Sequence, residues 1–231
     1  MTAPMLAFEG LAGGYRDTRV LRGVDGAVAA GEVLGVIGRN GVGKTTLVRL
    51  LTGELHPMAG TVRLRGAPIG AWPTFARQRA GIACMPQERL VFDPLTVREN
   101  LTLHRRDRRL DQYAPLFDAF PRLHERLALP AGRLSGGEKK LVAFARALAD
   151  AAPVTLLDEP TEGVQQENID RMATLVAARC SAGAAFVIVE QNLGFLMGLM
   201  HRVLALDHGE VVVSGPASGF DRHALERHLQ V

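Results

Sequence analysis

The feature that most restricts what this chain can fold into is the run Gly38-Arg39-Asn40-Gly41-Val42-Gly43-Lys44-Thr45. Its spacing is a glycine, four residues, then Gly-Lys-Thr, the pattern of a phosphate-binding loop. Ahead of it, Glu32-Val33-Leu34-Gly35-Val36-Ile37 is a short apolar run suited to a buried strand. Behind it, Thr46-Leu47-Val48-Arg49-Leu50-Leu51 has helical spacing and stops at Gly53, a helix terminator. The glycines let backbone N–H groups close around a polyphosphate, and the helix N-terminus adds partial positive charge. Lys44 can reach the β- and γ-phosphates, and the Thr45 hydroxyl can ligate Mg²⁺. An ordinary glycine-rich turn that matches by chance is the plainer alternative. The strand before and the helix after favour a nucleotide site built on Gly38 through Thr46.

A chain of 231 residues is long enough for one large α/β domain or for a core with a small insertion. Its 47% hydrophobic and 22% charged residues are those of a globular protein. A net charge of +3 is mild; it does not argue for nucleic acid, although it suits the inner surface of an acidic membrane. The two cysteines, Cys84 and Cys180, read as buried thiols in a reducing compartment and not as a disulfide framework. Met1 to Leu6 lacks a basic region followed by a long apolar stretch, so no signal peptide is expected. The longest apolar runs, Ala184 to Val189 and Phe195 to Met200, are far shorter than the roughly 20 residues that span a bilayer.

Leu6 to Leu11 reads as a first strand broken by Gly13-Gly14, with Tyr15 just ahead of a second strand around Val20-Leu21. Near a phosphate loop, Tyr15 can stack on adenine; a half-buried strand-end tyrosine is an equal reading of the same residue. Thr61 to Leu64 is another strand. The strand Gly81 to Met85 ends at Pro86-Gln87, where an amide oxygen can bind Mg²⁺ or attacking water; by residue type alone, a surface polar residue is the commoner case. From Thr96 to about Leu129 the periodicity turns helical (Val97, Leu101, Leu103, then Tyr113, Leu116, Phe117, Phe120, Leu123 and Leu127). The basic cluster His104 to Arg109 inside it can touch RNA or lipid headgroups, but no aromatics are interleaved and a solvated loop or helix end fits better.

Leu134-Ser135-Gly136-Gly137-Glu138 precedes an amphipathic helix bearing Leu141, Phe144, Ala145 and Leu148. Ser135 and its glycines can cradle phosphate, or Ser135 can cap the helix with Glu138 closing a capping box; both can hold at once. Val154 to Leu157 is a β-rich run ending in Asp158-Glu159, which places two carboxylates where open α/β sheets bind ligands. Asp158 would hold Mg²⁺, and Glu159 would orient and deprotonate the attacking water. Adjacent strand residues face opposite ways, so both can serve only at a strand end. Ala184 to Val189 is the next buried strand, followed by Glu190-Gln191-Asn192; Val203 to Leu206 and Glu210 to Val213 form a hairpin-like pair around Asp207-His208-Gly209. The tail from Arg222 to Val231 reads as a short helix whose His223 and His228 do not share a face, which rules out a metal site there.

Phosphate loop, Gln87, Leu134 to Glu138 and Asp158-Glu159, in that order across residues 6 to 215, resemble the ATP-binding subunit of ABC transporters. Leu-Ser-Gly-Gly-Glu is similar to that family's signature motif. The resemblance implies an α/β fold across 1–231, with a P-loop nucleotide-binding core, an antiparallel β subdomain and a helical subdomain inserted at about 96–145. It implies ATP and Mg²⁺ as ligands, and a head-to-tail dimer that sandwiches ATP between one subunit's phosphate loop and the other's Ser135, Gly136, Gly137 and Glu138. It makes Tyr15 the adenine-stacking residue, Gln87 a metal ligand whose loop also faces the transmembrane subunits, and Glu159 the catalytic carboxylate beside Lys44. The strings Gly38 to Lys44, Phe120 to Arg126, Glu159 to Gln165 and Val189 to Leu193 look like importers for branched-chain amino acids, urea and short amides, with a lean towards the urea-type subunit.

That resemblance implies transmembrane permease subunits, a second ATPase subunit or a second copy of this chain, a periplasmic solute-binding protein, and a place on the cytoplasmic face of the inner membrane. Two positions depart from the wider family. Gln191 stands where most members have a histidine; glutamine donates a hydrogen bond to phosphate but carries no proton. Gln165 stands where many have aspartate, in a loop tied to communication across the dimer. The alternatives are a non-transport ABC ATPase, which usually carries coiled-coil insertions or tandem cassettes, and a nucleotide-binding subunit with little catalysis, to which only Gln191 points.

Overall fold

The computed structural model describes residues 3–16, 18–105 and 107–227. Ten strands and nine α-helices are assigned among the described residues. In chain order the strands are β1 (Pro4–Tyr15), β2 (Thr18–Ala29), β3 (Val33–Ile37), β4 (Ala59–Leu64), β5 (Ala67–Pro68), β6 (Ile82–Met85), β7 (Val154–Asp158), β8 (Ala185–Val189), β9 (Arg202–Asp207) and β10 (Glu210–Pro216). The helices are α1 (Lys44–Thr52), α2 (Thr74–Arg79), α3 (Val97–Thr102), α4 (Ala114–Ala119), α5 (Pro121–Glu125), α6 (Gly136–Ala149), α7 (Gln166–Ser181), α8 (Leu193–Met197) and α9 (Arg222–Glu226).

The central sheet has the order β10-β9-β3-β8-β7-β6, parallel from β9 to β6, with β10 antiparallel at one edge. Its inner strands β3, β8 and β7 are buried on both faces, and alternate residues feed different cores. Val33 and Ile37 of β3, Leu157 of β7, and Phe186 and Ile188 of β8 pack with the helices α3 to α8. Leu34, Val36, Leu156, Val187 and Val189 pack on the opposite side with Leu47, Leu50 and Leu51 of α1 and Leu6, Phe8 and Leu11 of β1. A second, antiparallel sheet of order β2-β1-β4-β5 closes that side. Parallel strands all end at the same edge, so the loops after β3, β6, β7 and β8 converge there.

The structure corrects the expected break in β1 at Gly13-Gly14: the strand runs on to Tyr15, with register shifts beside both glycines. These are close-approach positions, not breakers. A Cβ on Gly13 would lie 2.7 Å from Leu50 Cδ2, and one on Gly14 2.0 Å from the Thr18 carbonyl oxygen. Their absence lets the bulged strand lie against α1. Strand β2 is likewise much longer than the stretch around Val20-Leu21.

The helical segment departs from β6 and returns to β7. Among the described residues it lacks helix between Leu103 and Leu110, and α6 runs to Ala149, with Leu148 on its buried face as expected. His104 and Arg105 pair with Asp150, and Arg109 with Asp111, in the solvated loop expected there; Arg106 lies outside the described residues. His223 of α9 is exposed, and His228 also lies outside the described residues. No group of three or more His, Cys, Asp or Glu suited to a metal is found among the described residues, and none of their helices is long and apolar enough to cross a membrane. Cys84 is half-buried and Cys180 buried, both as free thiols.

Candidate nucleotide site

The loop after β3 turns on three glycines in the left-handed half of backbone space, Gly38, Gly41 and Gly43, at φ 152°, 82° and 111°. Packing enforces two of them: a Cβ on Gly38 would lie 2.5 Å from the Leu206 carbonyl oxygen, and one on Gly43 2.6 Å from Leu21 Cδ2. Gly43 is the N-cap of α1 with no side-chain cap, so the first amides of the helix open into the loop. At the other end α1 stops at Gly53, φ 82°, as its sequence requires.

Lys44 is buried and donates to the carbonyls of Gly38 at 2.8 Å and Arg39 at 2.9 Å, stiffening the loop from inside. Its ammonium lies 3.5 Å from Glu159 Oε1. Burial lowers the Lys44 pKa, against the pull of the Glu159 carboxylate.

Gln87, Asp158, Glu159 and Gln191 gather on this loop from the ends of β6, β7 and β8. The Thr45 hydroxyl donates to Gln87 Oε1 at 3.1 Å, and Gln87 Nε2 donates to Glu159 Oε2 at 2.7 Å. Gln191 Nε2 donates to Asn40 Oδ1 at 2.7 Å and to Glu159 Oε1 at 3.1 Å, so it bridges phosphate loop and carboxylate. Asp158 closes β7, and Glu159 follows at φ 48°, which ends the strand's alternation and lets both carboxyls serve one site. Gln87 is half-buried and bonded into this cluster.

Asp158 is 1% exposed, and its Oδ1 has no hydrogen-bond partner among the described residues. Burial pushes its carboxyl pKa up to about 6, against the Thr45 hydroxyl and Lys44, with repulsion from Glu159 adding. An orphaned carboxylate oxygen beside the Thr45 hydroxyl and the Gln87 amide oxygen is a set of hard oxygen donors, and it fits Mg²⁺.

Tyr15 stands at the end of β1, 40% exposed; Arg49 of α1 donates to its hydroxyl at 2.9 Å with the guanidinium carbon 5.7 Å from the ring centroid. Ser135 lies apart from this cluster as the N-cap of α6. Its hydroxyl accepts from Glu138 N at 3.3 Å while Glu138 Oε2 accepts from Ser135 N at 2.9 Å, the reciprocal capping box. Burial raises the Glu138 pKa, but the Ser135 bonds and Arg126 hold the carboxyl below its usual value. A Cβ on Gly137 would lie 2.7 Å from the Gly163 carbonyl oxygen, whereas one on Gly136 would meet nothing. Ser135 and Gly136 line a cavity of about 840 Å³ between α5, α6 and the start of α7, with Arg126, Gln165 and Arg171 on its walls.

Sequence reasoning missed three buried ions. Glu190 accepts from Thr161 N, Thr161 Oγ1, Gln191 N and Asn192 N, at 2.8, 2.6, 2.9 and 3.1 Å, and thereby sets the turn that carries Gln191. Lys140 of α6 donates to the Glu159 carbonyl at 2.5 Å. Arg77 of α2 donates to the carbonyls of Leu50, Leu51, Gly70 and Trp72. Only the Glu190-Gln191-Asn192 strand end carried a signal.

A glycine loop between strand and helix, at the C-terminal edge of a parallel sheet and facing a strand-end Asp-Glu pair, defines a P-loop nucleoside triphosphatase. The family model for ABC transporters matches residues 21–162, and the chain belongs to that family as an ATP-binding, ATP-hydrolysing subunit. The high-affinity branched-chain amino acid transport ATP-binding protein BraG of Pseudomonas aeruginosa is 34% identical over 213 residues, covering 90% of this chain and 91% of that protein. The hemin import ATP-binding protein HmuV of Nocardia farcinica is 42% identical over 208 residues, covering 86% of this chain and 71% of that one. A solved ATP-binding subunit of an ABC transporter superposes with a TM-score of 0.82 at 26% identity, covering 92% of this chain and 90% of that one. A cassette dimer in a post-hydrolysis state with ADP and Pi shares the fold, with a TM-score of 0.83 at 22% identity over 94% of this chain and all of that one.

Proposed function

We propose that this chain is the ATPase subunit of an importer for a small polar solute, at the cytoplasmic face of the inner membrane. The observation that carries the site assignment is the convergence of Lys44, Gln87 and Gln191 on Glu159, with Thr45 bonded to Gln87, beside the orphaned Asp158 oxygen. Catalysis is positioning plus charge stabilisation. Amides from Asn40 to Thr45 and Lys44 bind the β- and γ-phosphates, Thr46 extends the cradle and Tyr15 stacks on adenine. Thr45, Gln87 and Asp158 would hold Mg²⁺, which when bound would neutralise phosphate charge. Glu159 orients water and takes its proton. Ser135, Gly136, Gly137 and Glu138 act on the partner's ATP when the dimer closes. Gln191 orients Glu159 and cannot shuttle a proton.

The open face at Gly136 supports the trans role, since nothing in this chain demands a glycine there. The helices α3 to α6 form a helical subdomain inserted in a single cassette. Relatives whose names specify branched-chain amino acid transport support that solute class, with urea and short amides inside the same proposal. Other relatives carry hemin, ribose and Nod factor in their names, so the solute follows from the partners: permease subunits, a second cassette or second copy, and a periplasmic binding protein.

Two experiments test this reading. Glu159→Gln should trap an ATP-bound dimer with little turnover, and wild-type-like hydrolysis by that variant would sink the role of Glu159. A pull-down from gently solubilised native membranes should recover two hydrophobic subunits, and recovery of soluble or ribosomal partners only would overturn the importer.

A further inference from the structure

We infer that Lys140 is a positioning residue for Glu159, an inference that rests on the catalytic reading of Glu159 above. Lys140 lies on α6, about one turn into the helix that Ser135 caps, and its side chain is buried. An ammonium is placed away from water only where it gains strong partners. One recorded acceptor is Glu162 Oε2 at 3.2 Å, but that carboxyl is 65% exposed and close to solvent. Such a pair contributes little. The other acceptor is buried: the backbone carbonyl of Glu159, at 2.5 Å.

Glu159 is a residue that needs holding. Its φ of 48° places a non-glycine residue in the left-handed region, a conformation that persists only where surrounding contacts enforce it. The Glu159 N–H is fixed by the Val189 carbonyl at 2.9 Å, which ties it to β8. The carbonyl at the other side of the same Cα is fixed, among the described residues, by Lys140 alone. Together they set the direction in which the Glu159 side chain leaves the backbone, and so where its oxygens meet Lys44, Gln87 and Gln191. A second contact serves the same alignment: Gly137, on the same helix, has its Cα against the Gly163 carbonyl, with no room for a Cβ. The helix that begins at Ser135 is thus locked to the turn carrying Glu159 by an ion at one point and by backbone packing at another.

The test uses the full chain, as purified with its subunits, and compares Lys140→Met, which keeps the stem and loses every donor, with Lys140→Gln, which keeps a donor and loses the charge. Steady-state ATP hydrolysis and thermal unfolding are measured for both. The expected result is a fall in kcat of about ten-fold for Lys140→Met, equivalent to about 1.4 kcal/mol of barrier, with KM for ATP within about two-fold of wild type. Lys140→Gln should recover at least about half of the lost rate on a logarithmic scale, because a neutral donor can still reach the carbonyl. Lys140→Met hydrolysing at the wild-type rate overturns the inference. So does a loss of rate matched by an equal rise in KM, or one shared equally by Lys140→Gln. If the wild type hydrolyses ATP and Glu159→Gln does not differ from it, the catalytic reading itself has failed, a different outcome from an unaffected Lys140→Met.

Discussion

Arg77 offers the most quantitative test of how the nucleotide site is supported from behind. Its side chain is fully buried, and its guanidinium donates to Leu50 O at 2.7 Å, Leu51 O at 2.9 Å, Gly70 O at 2.9 Å and Trp72 O at 3.1 Å. The carbonyls of Leu50 and Leu51 belong to the last turn of α1 and have no acceptor role left inside the helix. Arg77→Met fills much of the same volume and removes every donor. At a net value of about 1 kcal/mol for each bond, the four contacts are worth about 4 kcal/mol. Relief of burying the cation, the same desolvation that lowers the Arg77 pKa, returns part of this. The expected loss is therefore about 3 kcal/mol. For a chain of this length that is a fall in melting temperature of about 6–12 °C, and a fall in urea midpoint of about 1 M. Arg77→Lys, with one compact donor head, should reach one or two of the carbonyls and lie between. Urea titration followed by circular dichroism reads all of these proteins on one scale. An Arg77→Met midpoint within about 0.2 M of wild type would show that the carbonyls find other partners and that the accounting is wrong.

Three further outcomes are expected. Gly43→Ala, which would drive a Cβ to 2.6 Å from Leu21 at φ 111°, should abolish ATP binding in calorimetry while Gly136→Ala, in open space, leaves the fold's melting temperature unchanged. Tyr15→Ala should weaken ATP about ten-fold through lost stacking, whereas Tyr15→Phe, which loses only the Arg49 bond, should stay within about two-fold; equal losses would refute adenine stacking. The Asp150 carboxyl is held below its usual pKa by the His104 hydrogen bond and by Arg105, so its stabilisation is present above the ordinary carboxylate pKa and is lost as pH falls through the lowered one. Asp150→Asn should accordingly lower the urea midpoint at about pH 7 and have a shrinking effect below about pH 4; a difference independent of pH would contradict the assignment.

The parts of this molecule that could be read from sequence are those whose physics is local. The phosphate loop announces itself because strand, glycines, lysine and helix are contiguous, and Gly53 ends α1 by its own backbone preference. The capping box at Ser135 and Glu138 spans only four residues and forms as written. Asp158 and Glu159 were legible because a strand end was legible, although the left-handed φ that lets both carboxyls face one site was not. What escaped was every group whose partner is a distant backbone carbonyl. Lys140 meets Glu159 across 19 positions and Arg77 meets Leu50 across 27, and a carbonyl leaves no mark in a sequence. Gly13 and Gly14 misled for a related reason. Glycine signals a break when only the chain itself is considered, but here the helix α1 and the Thr18 backbone needed the space.

The Arg77 clamp also bears on how α1 transmits force. The helix carries the phosphate loop at its N-terminus, and at its C-terminus it is bolted through Arg77 to the segment that displays Trp72 and Phe75, exposed by 38% and 60%. Because the guanidinium grips carbonyls of both Leu50 and Leu51, α1 can neither slide along its axis nor unwind its last turn without breaking those bonds. It is a strut. The exposed aromatic surface and the phosphate loop thus lie at the two ends of one braced helix.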